Sequence, residues 1–244
     1  MTHTPIRIRA ELHTSIRLGK IPVHLDALLW HALFLKTGCP ESASDQLPSL
    51  LAESEGVYRA SSLGFGTYPN ERPVIATQMV TLGVMRQDTD MIPELMHPTG
   101  RKEKYSKIQI EGGPYKNRLT KYPTHHAPEI FWDAIGDGVA IGKLLNFYVL
   151  AVGLEANRGF GSVGEFQIEE LKHDHSWVTE TGELARVLPY RIIENLESVQ
   201  VDTTQRIVGP AKPPYHHQNN LETCVTPARV RKQPLIKRSL SQGI

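Results

Sequence analysis

EIFWDAIGDGVAIGKLLNFYVLAVGLEANRGFGSVGEFQI, residues 129–168, carries signals for a strand, a helix, a glycine-rich loop and a second strand in succession. The first seven residues, EIFWDAI, are mostly apolar or aromatic, as in a buried strand. Asp137 is a typical N-cap, and the strongly apolar segment 138–153 predicts a helix. The segment 162–171 again has the composition of a strand. The sequence therefore predicts a helix joined to a strand by a tight loop.

The N-terminal part of the chain has two clear periodicities. Residues 5–12 alternate between apolar and charged side chains, which predicts a half-buried strand. Residues 24–36 repeat leucine and alanine at helical spacing, and Gly38 ends that helix. Runs of β-type residues at 57–60 and 74–85 predict two further strands.

Three segments predict irregular structure. Residues 39–56 are rich in serine, proline and acids, and SLGFGTYPNERP, residues 62–73, is a turn-rich break. Residues 87–128 form a long excursion with prolines, glycines and basic residues, in which 104–110 could form one arm of a projecting hairpin.

The order of these elements predicts an α+β protein. Without the extra pieces, it approximates the βαββαβ unit of a ferredoxin-like or RRM core. We expect this core within a domain of residues 1–171, with an inserted basic thumb at residues 87–128. Residues 172–244 then form a C-terminal extension that packs on the core and ends in a basic tail.

Basic residues are concentrated in two places, although the net charge is only +1. Residues 229–244 contain five cations and no acid, and residues 101–121 contain seven cations against two acids. The seven are Arg101, Lys102, Lys104, Lys107, Lys116, Arg118 and Lys121. They are interleaved with Tyr105, Tyr115 and Tyr122, as in a surface that binds phosphates and stacks bases. The alternative is that both segments are only exposed to solvent and bind nothing. We favour this alternative for the tail, residues 229–244, and leave both interpretations open for residues 101–121.

The glycine-rich loop is the second candidate for phosphate binding. Glycines allow a positive φ and a close approach of the backbone, so that successive amides can converge on a phosphate. Arg158 would add a cation beside them. The order helix, loop, strand excludes a dinucleotide-binding fingerprint, which needs the reverse. The candidate residues are Arg158, Gly159, Phe160, Gly161, Ser162 and Gly164. Alternatively, the glycines only permit a tight connection.

Five motifs together resemble a known family. They are IRIRAEL, PVHLDALLWHAL, IFWDAIGDG, NRGFGSVGEF and PPYHHQNNLETCVTP. In this order they resemble the RAMP superfamily of CRISPR-associated proteins, and within it the Cas-five-like subunit of type IV effector complexes, the Csf-three family.

The resemblance implies a role in antiviral defence. The chain would be a non-catalytic, RNA-binding subunit of a ribonucleoprotein complex that caps the repeat-derived 5′ handle of crRNA and contacts a neighbouring backbone subunit. The loop residues would hold RNA, and the thumb cations are added on charge alone. His24 and His31 lie seven residues apart on one face of the first predicted helix, and either could be a packed helix-start residue or an RNA contact. Contact with target DNA stays open.

Two other functions remain alternatives. The first is a metal-independent, repeat-processing RNA endonuclease of the same superfamily, with His24 or His31 as the general base. The second is a scaffold subunit that docks by protein surfaces only.

Composition limits the remaining possibilities. Cys39 and Cys224 cannot form a disulfide framework or, by themselves, a zinc site. The histidines are more typical of surface loops than of a metal site. No segment approaches the roughly 20 apolar residues that span a bilayer. We therefore expect a soluble cytoplasmic protein without a cofactor or a bound metal.

Overall fold

The structure of the chain is a computed structural model. It describes residues 3–19, 21, 23–67, 75–83, 118–196, 199, 206–215, 217–227 and 231–234. For 75–83, 118–119 and 231–234 the description is limited to the backbone.

The described part of the chain contains both strands and helices. In chain order they are β1 (Thr4–Glu11), α1 (Leu25–Thr37), α2 (Pro40–Leu50), β2 (Glu53–Ser54), β3 (Val57–Tyr58), β4 (Gly64–Thr67), β5 (Ile75–Gly83), β6 (Arg118–His126), β7 (Glu129–Gly136), α3 (Gly138–Tyr148), β8 (Gln167–Glu170), β9 (Leu188–Pro189), α4 (Tyr190–Ile193), β10 (Arg206–Pro210), β11 (Leu221–Val225) and β12 (Arg231–Pro234).

The main sheet has five strands in the order β12-β4-β7-β1-β8. β7 pairs antiparallel with both β1 and β4, and β8 pairs antiparallel with β1. α1 lies between β1 and β4 along the chain, and α3 between β7 and β8. The α+β class is confirmed, and this strand order is consistent with the predicted ferredoxin-like core.

The predicted periodicities account for the packing of β1 and α1. Ile6, Ile8 and Ala10 alternate along β1 and belong to the same buried cluster as the leucines of α1. Gly38 ends α1 in the left-handed conformation, with φ 68°, and its amide donates to the Phe34 carbonyl. Alternation in the strand and helical spacing in the helix therefore build one shared core.

α3 begins where the sequence predicts and ends earlier. The Asp137 side chain accepts a hydrogen bond of 3.0 Å from the Ala140 amide, as an N-cap does. The helix stops at Tyr148 rather than continuing to residue 153. Gly138 lets it lie close to β8, because a Cβ there would be 2.8 Å from Cγ2 of Ile168.

Two predicted loops are regular structure instead. Residues 40–50 form α2, which begins with Pro40 in its first turn and buries Ala43, Leu47 and Leu50. The break at 62–73 contains β4, whose Gly64 faces the Phe131 ring. A Cβ on Gly64 would lie 2.5 Å from Cζ of Phe131, so this glycine serves packing rather than a turn.

The predicted thumb segment is described only in part. β6 lies in the segment predicted to be irregular, which is wrong for these residues, and it forms a two-stranded sheet with β5. The hairpin arm at 104–110 lies outside the described residues. By residue contacts the chain divides into two compact units, Ala76–Thr124 and the remainder.

The C-terminal part of the chain contributes to the main sheet and also builds a second one. β12 pairs in parallel with β4 in the main sheet. The preceding strand of that sheet along the chain, β8, covers only Gln167–Glu170 and is shorter than the predicted strand 162–171. β10, β11 and β9 form a separate three-stranded sheet. Its hydrophobic cluster contains Val57, Trp177, Leu184, Val187, Leu188, Ile192, Ala211, Cys224 and Val225.

A buried arginine connects the two clusters. Arg186 is 0% exposed, and its Nη1 donates to the carbonyls of Tyr58 and Ala60 at 2.8 and 2.9 Å. Its Nη2 donates to Oδ2 of Asp26 at 3.1 Å and to the Ala211 carbonyl at 3.0 Å. One guanidinium thus contacts the first turn of α1, the backbone after β3 and the residue that follows β10.

Removal of this guanidinium is expected to be costly. Arg186→Met removes the cation paired with the buried Asp26 carboxylate and one donor from each of four backbone carbonyls, so the free energy of unfolding should fall by about 3–5 kcal/mol. Chemical denaturation measures it. The matched control is Arg191→Met, because Arg191 is 49% exposed where it pairs with Glu222 and should contribute about 0–1 kcal/mol. Equal losses in the two variants would contradict the role of Arg186.

Candidate nucleic-acid interface

The glycine-rich loop folds back on itself and against the residues after β1. Ala151 and Ser162 form an antiparallel bridge within the loop, and Leu12 and Val163 form another between the loop and the chain leaving β1. Between the arms of the loop lies a 3₁₀ turn, Ala156–Arg158. The loop is therefore a narrow hairpin whose backbone position is set by its neighbours.

Five amides of this loop already have protein acceptors. They are those of Gly159 to the Ala156 carbonyl, Gly161 to the Ser15 carbonyl, Ser162 to Oγ1 of Thr14, Val163 to the Leu150 carbonyl, and Gly164 to the Glu11 carbonyl, at 2.9–3.1 Å. A phosphate could use these amides only by displacing those bonds. The expectation that they converge on a phosphate is therefore wrong.

The glycines are needed for a close approach of two backbones. Gly161 has φ 66°, and a Cβ there would lie 1.9 Å from the Val152 carbonyl oxygen. Gly153 has φ 97°, and a Cβ there would lie 2.6 Å from the Arg17 carbonyl oxygen. This geometry supports the alternative that the glycines permit a tight connection.

The exposed part of the loop carries an ion cluster. The Arg158 side chain is 54% exposed, and its Nε lies 3.1 Å from Oε2 of Glu155. Oε1 of the same carboxylate is 3.0 Å from Nη1 of Arg17. Two guanidiniums thus share one carboxylate close to the exposed Gly159. The sequence does not predict Arg17 or Glu155 as site residues. The signal that could indicate Arg17 is its positive charge in the short loop HTSIRLGK, residues 13–20.

Phe160 does not offer its ring to a base. It is 3% exposed, and Gly161 beside it is also buried. Stacking of RNA on Phe160 therefore has no accessible surface in this structure. Contact of RNA with Arg158, Gly159, Ser162 and Gly164 stays a prediction.

His24 lies in the buried network rather than on a surface. It is 1% exposed, its Nε2 accepts from the Val187 amide at 3.3 Å, and its Nδ1 lies 2.9 Å from the Tyr215 hydroxyl. The Tyr215 hydroxyl in turn donates to Oδ1 of Asp26 at 2.8 Å. Because Nε2 accepts, Nδ1 carries the proton and the ring is neutral. His24 therefore has no accessible surface for RNA in this structure, and its contact with RNA stays a prediction.

Burial sets the protonation state of this network. Desolvation, followed by the charge of Arg186, holds the pKa of His24 well below its ordinary value of 6.5. Desolvation, followed by the charge of Asp26, holds the pKa of Tyr215 well above its ordinary value. Both groups therefore stay neutral near pH 7.

The predicted thumb residues fall mostly outside the described residues. Arg101, Lys102, Lys104, Tyr105, Lys107 and Lys116 all do so. Arg118 begins β6, and Lys121 in the same strand is exposed. Their contact with RNA stays a prediction.

The arginines of β1 are paired with acids on neighbouring strands. Nε and Nη2 of Arg7 donate to the two carboxylate oxygens of Asp133 at 2.6 and 3.0 Å. Nη2 of Arg9 lies 2.5 Å from Oε2 of Glu169. These cations therefore fix the strands rather than offer an open basic face.

The described residues also bear on metal binding, membrane insertion and thiol chemistry. Among the described side chains, no three of His, Cys, Asp and Glu come together as metal ligands would. No helix in the described ranges has the length and apolarity to cross a membrane. Burial raises the pKa of the Cys224 thiol to about 11, which keeps that thiol protonated.

A buried neutral histidine makes stability depend on pH. Because unfolding releases His24 to its ordinary pKa, the unfolded chain binds a proton below pH 6.5 that the folded chain does not. The contribution of His24 is thus complete above that pH and declines below it, by about 1.4 kcal/mol per pH unit for one proton. Denaturant titrations from pH 7.5 to 5 measure the free energy of unfolding. It should fall with pH in the control His31→Gln, which replaces an exposed histidine of α1, and should fall less steeply in His24→Gln. If His24→Gln loses stability with pH as steeply as the control does, His24 is not the buried neutral group proposed.

The two loop glycines provide a matched pair of substitutions. Gly159 has φ 87°, and nothing lies within 4 Å of a Cβ added there. Gly159→Ala should therefore lower the free energy of unfolding by about 1 kcal/mol, from backbone strain alone. Gly161→Ala adds the overlap with the Val152 carbonyl and should cost about 3 kcal/mol or more. Thermal unfolding measures both, and equal costs would show that the close approach is not a constraint.

Comparison with known proteins assigns a family. A family model described as CRISPR type IV associated protein Csf3 matches residues 4–227, which is most of the chain. No curated protein matches the sequence. The match supports a role in a type IV effector complex together with other subunits. The resemblance to this type IV family is confirmed, and the chain belongs to the family of CRISPR type IV associated proteins Csf3.

Proposed function

We propose that the chain is a non-catalytic subunit that holds the repeat-derived 5′ handle of crRNA in a type IV effector complex. Membership of the Csf3 family supports a place in that complex. The observation that carries the RNA contact is the ion cluster on the loop, where Arg158 and Arg17 flank Glu155 at 3.1 and 3.0 Å.

The loop would bind RNA by side chains rather than by amides. Its amides hold the hairpin against the residues after β1, so the backbone under Arg158 is fixed. A guanidinium on a fixed backbone loses less freedom when it binds a phosphate, and its fork geometry suits phosphate oxygens. Glu155 keeps both arginines close to one point, and a phosphate would replace part of their contact with this carboxylate.

The thumb cations would supply phosphate contacts of their own. Lys121 is exposed on β6, and the basic segment at 101–121 supplies the remaining charge. Several phosphate contacts release several counterions, so binding should weaken steeply as salt rises. The target sequence would then be read by base pairing of the guide, not by this chain.

The RNA endonuclease remains the second candidate, with a weaker case. Its base candidate His24 is buried, and Nε2 already accepts from the Val187 amide. His31 is exposed on α1 and keeps this alternative open. Metal-independent cleavage of repeat RNA by the purified chain, abolished by His31→Ala, would favour the enzyme and overturn the non-catalytic proposal.

Charge reversal at the loop tests the RNA contact. Arg158→Glu should weaken binding to a handle RNA by about tenfold or more, since a charge-assisted hydrogen bond contributes roughly 1.5–3 kcal/mol. The slope of log affinity against log salt should also become shallower by roughly one. Fluorescence anisotropy at several salt concentrations measures both quantities.

The control for this test is Arg206→Glu, an exposed cation on β10 in the second sheet. It should leave affinity and salt slope close to those of the unmodified chain. If Arg158→Glu retains its melting temperature and binds RNA with the same affinity and slope, the loop does not hold the handle.

A further inference from the structure

A groove lies among α1, α2 and α3. Its volume is about 470 Å³. The part of its lining that bears on recognition consists of Leu33, Lys36, Leu50, Lys143, Leu144 and Phe147. The three leucines are buried and form an aliphatic floor, with side chains from all three helices.

α3 exposes apolar side chains at the edge of this groove. Phe147 is 75% exposed and Val139 is 70% exposed, and they lie two helical turns apart on one face with Lys143 between them. Leu150, just after the helix, is 78% exposed. The Phe147 ring packs edge-on against Tyr148 at 4.7 Å. Apolar side chains grouped in this way next to a groove are typical of an interaction surface.

The charges at the groove have one sign. Lys36, in the last turn of α1, and Lys143, in α3, both line it and are exposed. Its described lining contains no Asp or Glu, and neither lysine forms an ion pair within the part of the chain that the structure describes. An occupant with apolar and acidic side chains would therefore match both the floor and the rim.

We propose that this groove binds an acidic amphipathic helix of another protein subunit of the effector complex. Apolar side chains at helical spacing would lie on the leucine floor and against Phe147, and carboxylates on the flanks of that helix would pair with Lys36 and Lys143. This is the helix-in-groove mode of recognition. The inference rests on the proposed role as a complex subunit and adds a docking site to it.

Two other occupants fit the groove less well. RNA requires a row of cations along its backbone, whereas Lys36 and Lys143 are the only cations in the described lining of the groove. A second copy of the chain, related by a two-fold axis, would bring the same patch against itself, so that Lys36 and Lys143 would meet like charges.

Photo-crosslinking in the assembled complex tests the occupant. Phe147 is replaced by p-benzoylphenylalanine, the chain is purified with its complex, and crosslinked peptides are identified by mass spectrometry. We expect one segment of another subunit, with apolar residues at i, i+4 and i+7 and flanking acids. The same substitution at Val208, which is 76% exposed on β10, is the control and should not crosslink to that segment. Crosslinks to RNA or to a second copy of the chain, or no crosslink, would overturn the proposal.

Charge reversal tests the complementarity and separates it from RNA binding. The double substitution Lys36→Glu with Lys143→Glu should weaken binding of the chain to the crosslinked subunit by about tenfold or more, as expected for close interfacial charge pairs. Reversal of the acids in the identified segment to lysine should restore it. Lys172→Glu, at another exposed lysine, should have no effect.

Handle RNA is titrated against the same variants. Unchanged RNA affinity in the double variant supports a separate docking site, and a loss of RNA affinity equal to that of subunit binding overturns it. If the unmodified chain joins the complex through this groove but does not bind handle RNA, the proposed RNA function fails while the docking site stands.

Discussion

The buried ion pair between Arg186 and Asp26 is the contact on which the rest of the structure depends. Both side chains are 0% exposed, and a charge removed from water is tolerated only when it is fully paired. The remaining donors of the guanidinium reach the carbonyls of Tyr58 and Ala60 and that of Ala211, the residue that follows β10 of the second sheet. The start of α1 and the C-terminal residues must therefore assemble around one charge, which makes the C-terminal part integral to the fold.

The glycine-rich loop that follows α3 is held by a separate set of contacts. The loop forms a hairpin against the residues after β1, and its amides donate hydrogen bonds that hold it there. Recognition is left to side chains, of which Arg158 and Arg17 share the Glu155 carboxylate. The groove among the three helices is lined by three leucines of the main core, Leu33, Leu50 and Leu144. One scaffold can thus present a basic loop to a phosphate and an apolar groove to a protein.

Much of the fold could be predicted because its signals are local. The Asp137 cap, the alternation in β1 and the leucine spacing in α1 depend only on neighbouring residues. The sequence does not predict α2, because serine, proline and acids outweigh its three apolar residues at helical spacing. It does not predict β4, because the glycines of that strand have the composition of a turn. The candidate site was harder. Arg186 lies 160 residues from Asp26, so no local pattern indicates the pair, and the loop glycines look the same whether their amides bind phosphate or protein.

The most direct test of RNA binding by this loop is ultraviolet crosslinking of the purified effector complex, followed by sequencing of the crosslinked peptide and RNA. We expect crosslinks between the peptide around residues 154–162 and nucleotides of the 5′ handle. Crosslinks of the handle exclusively to other subunits, with this peptide unmodified in an intact complex, would contradict RNA binding by the loop.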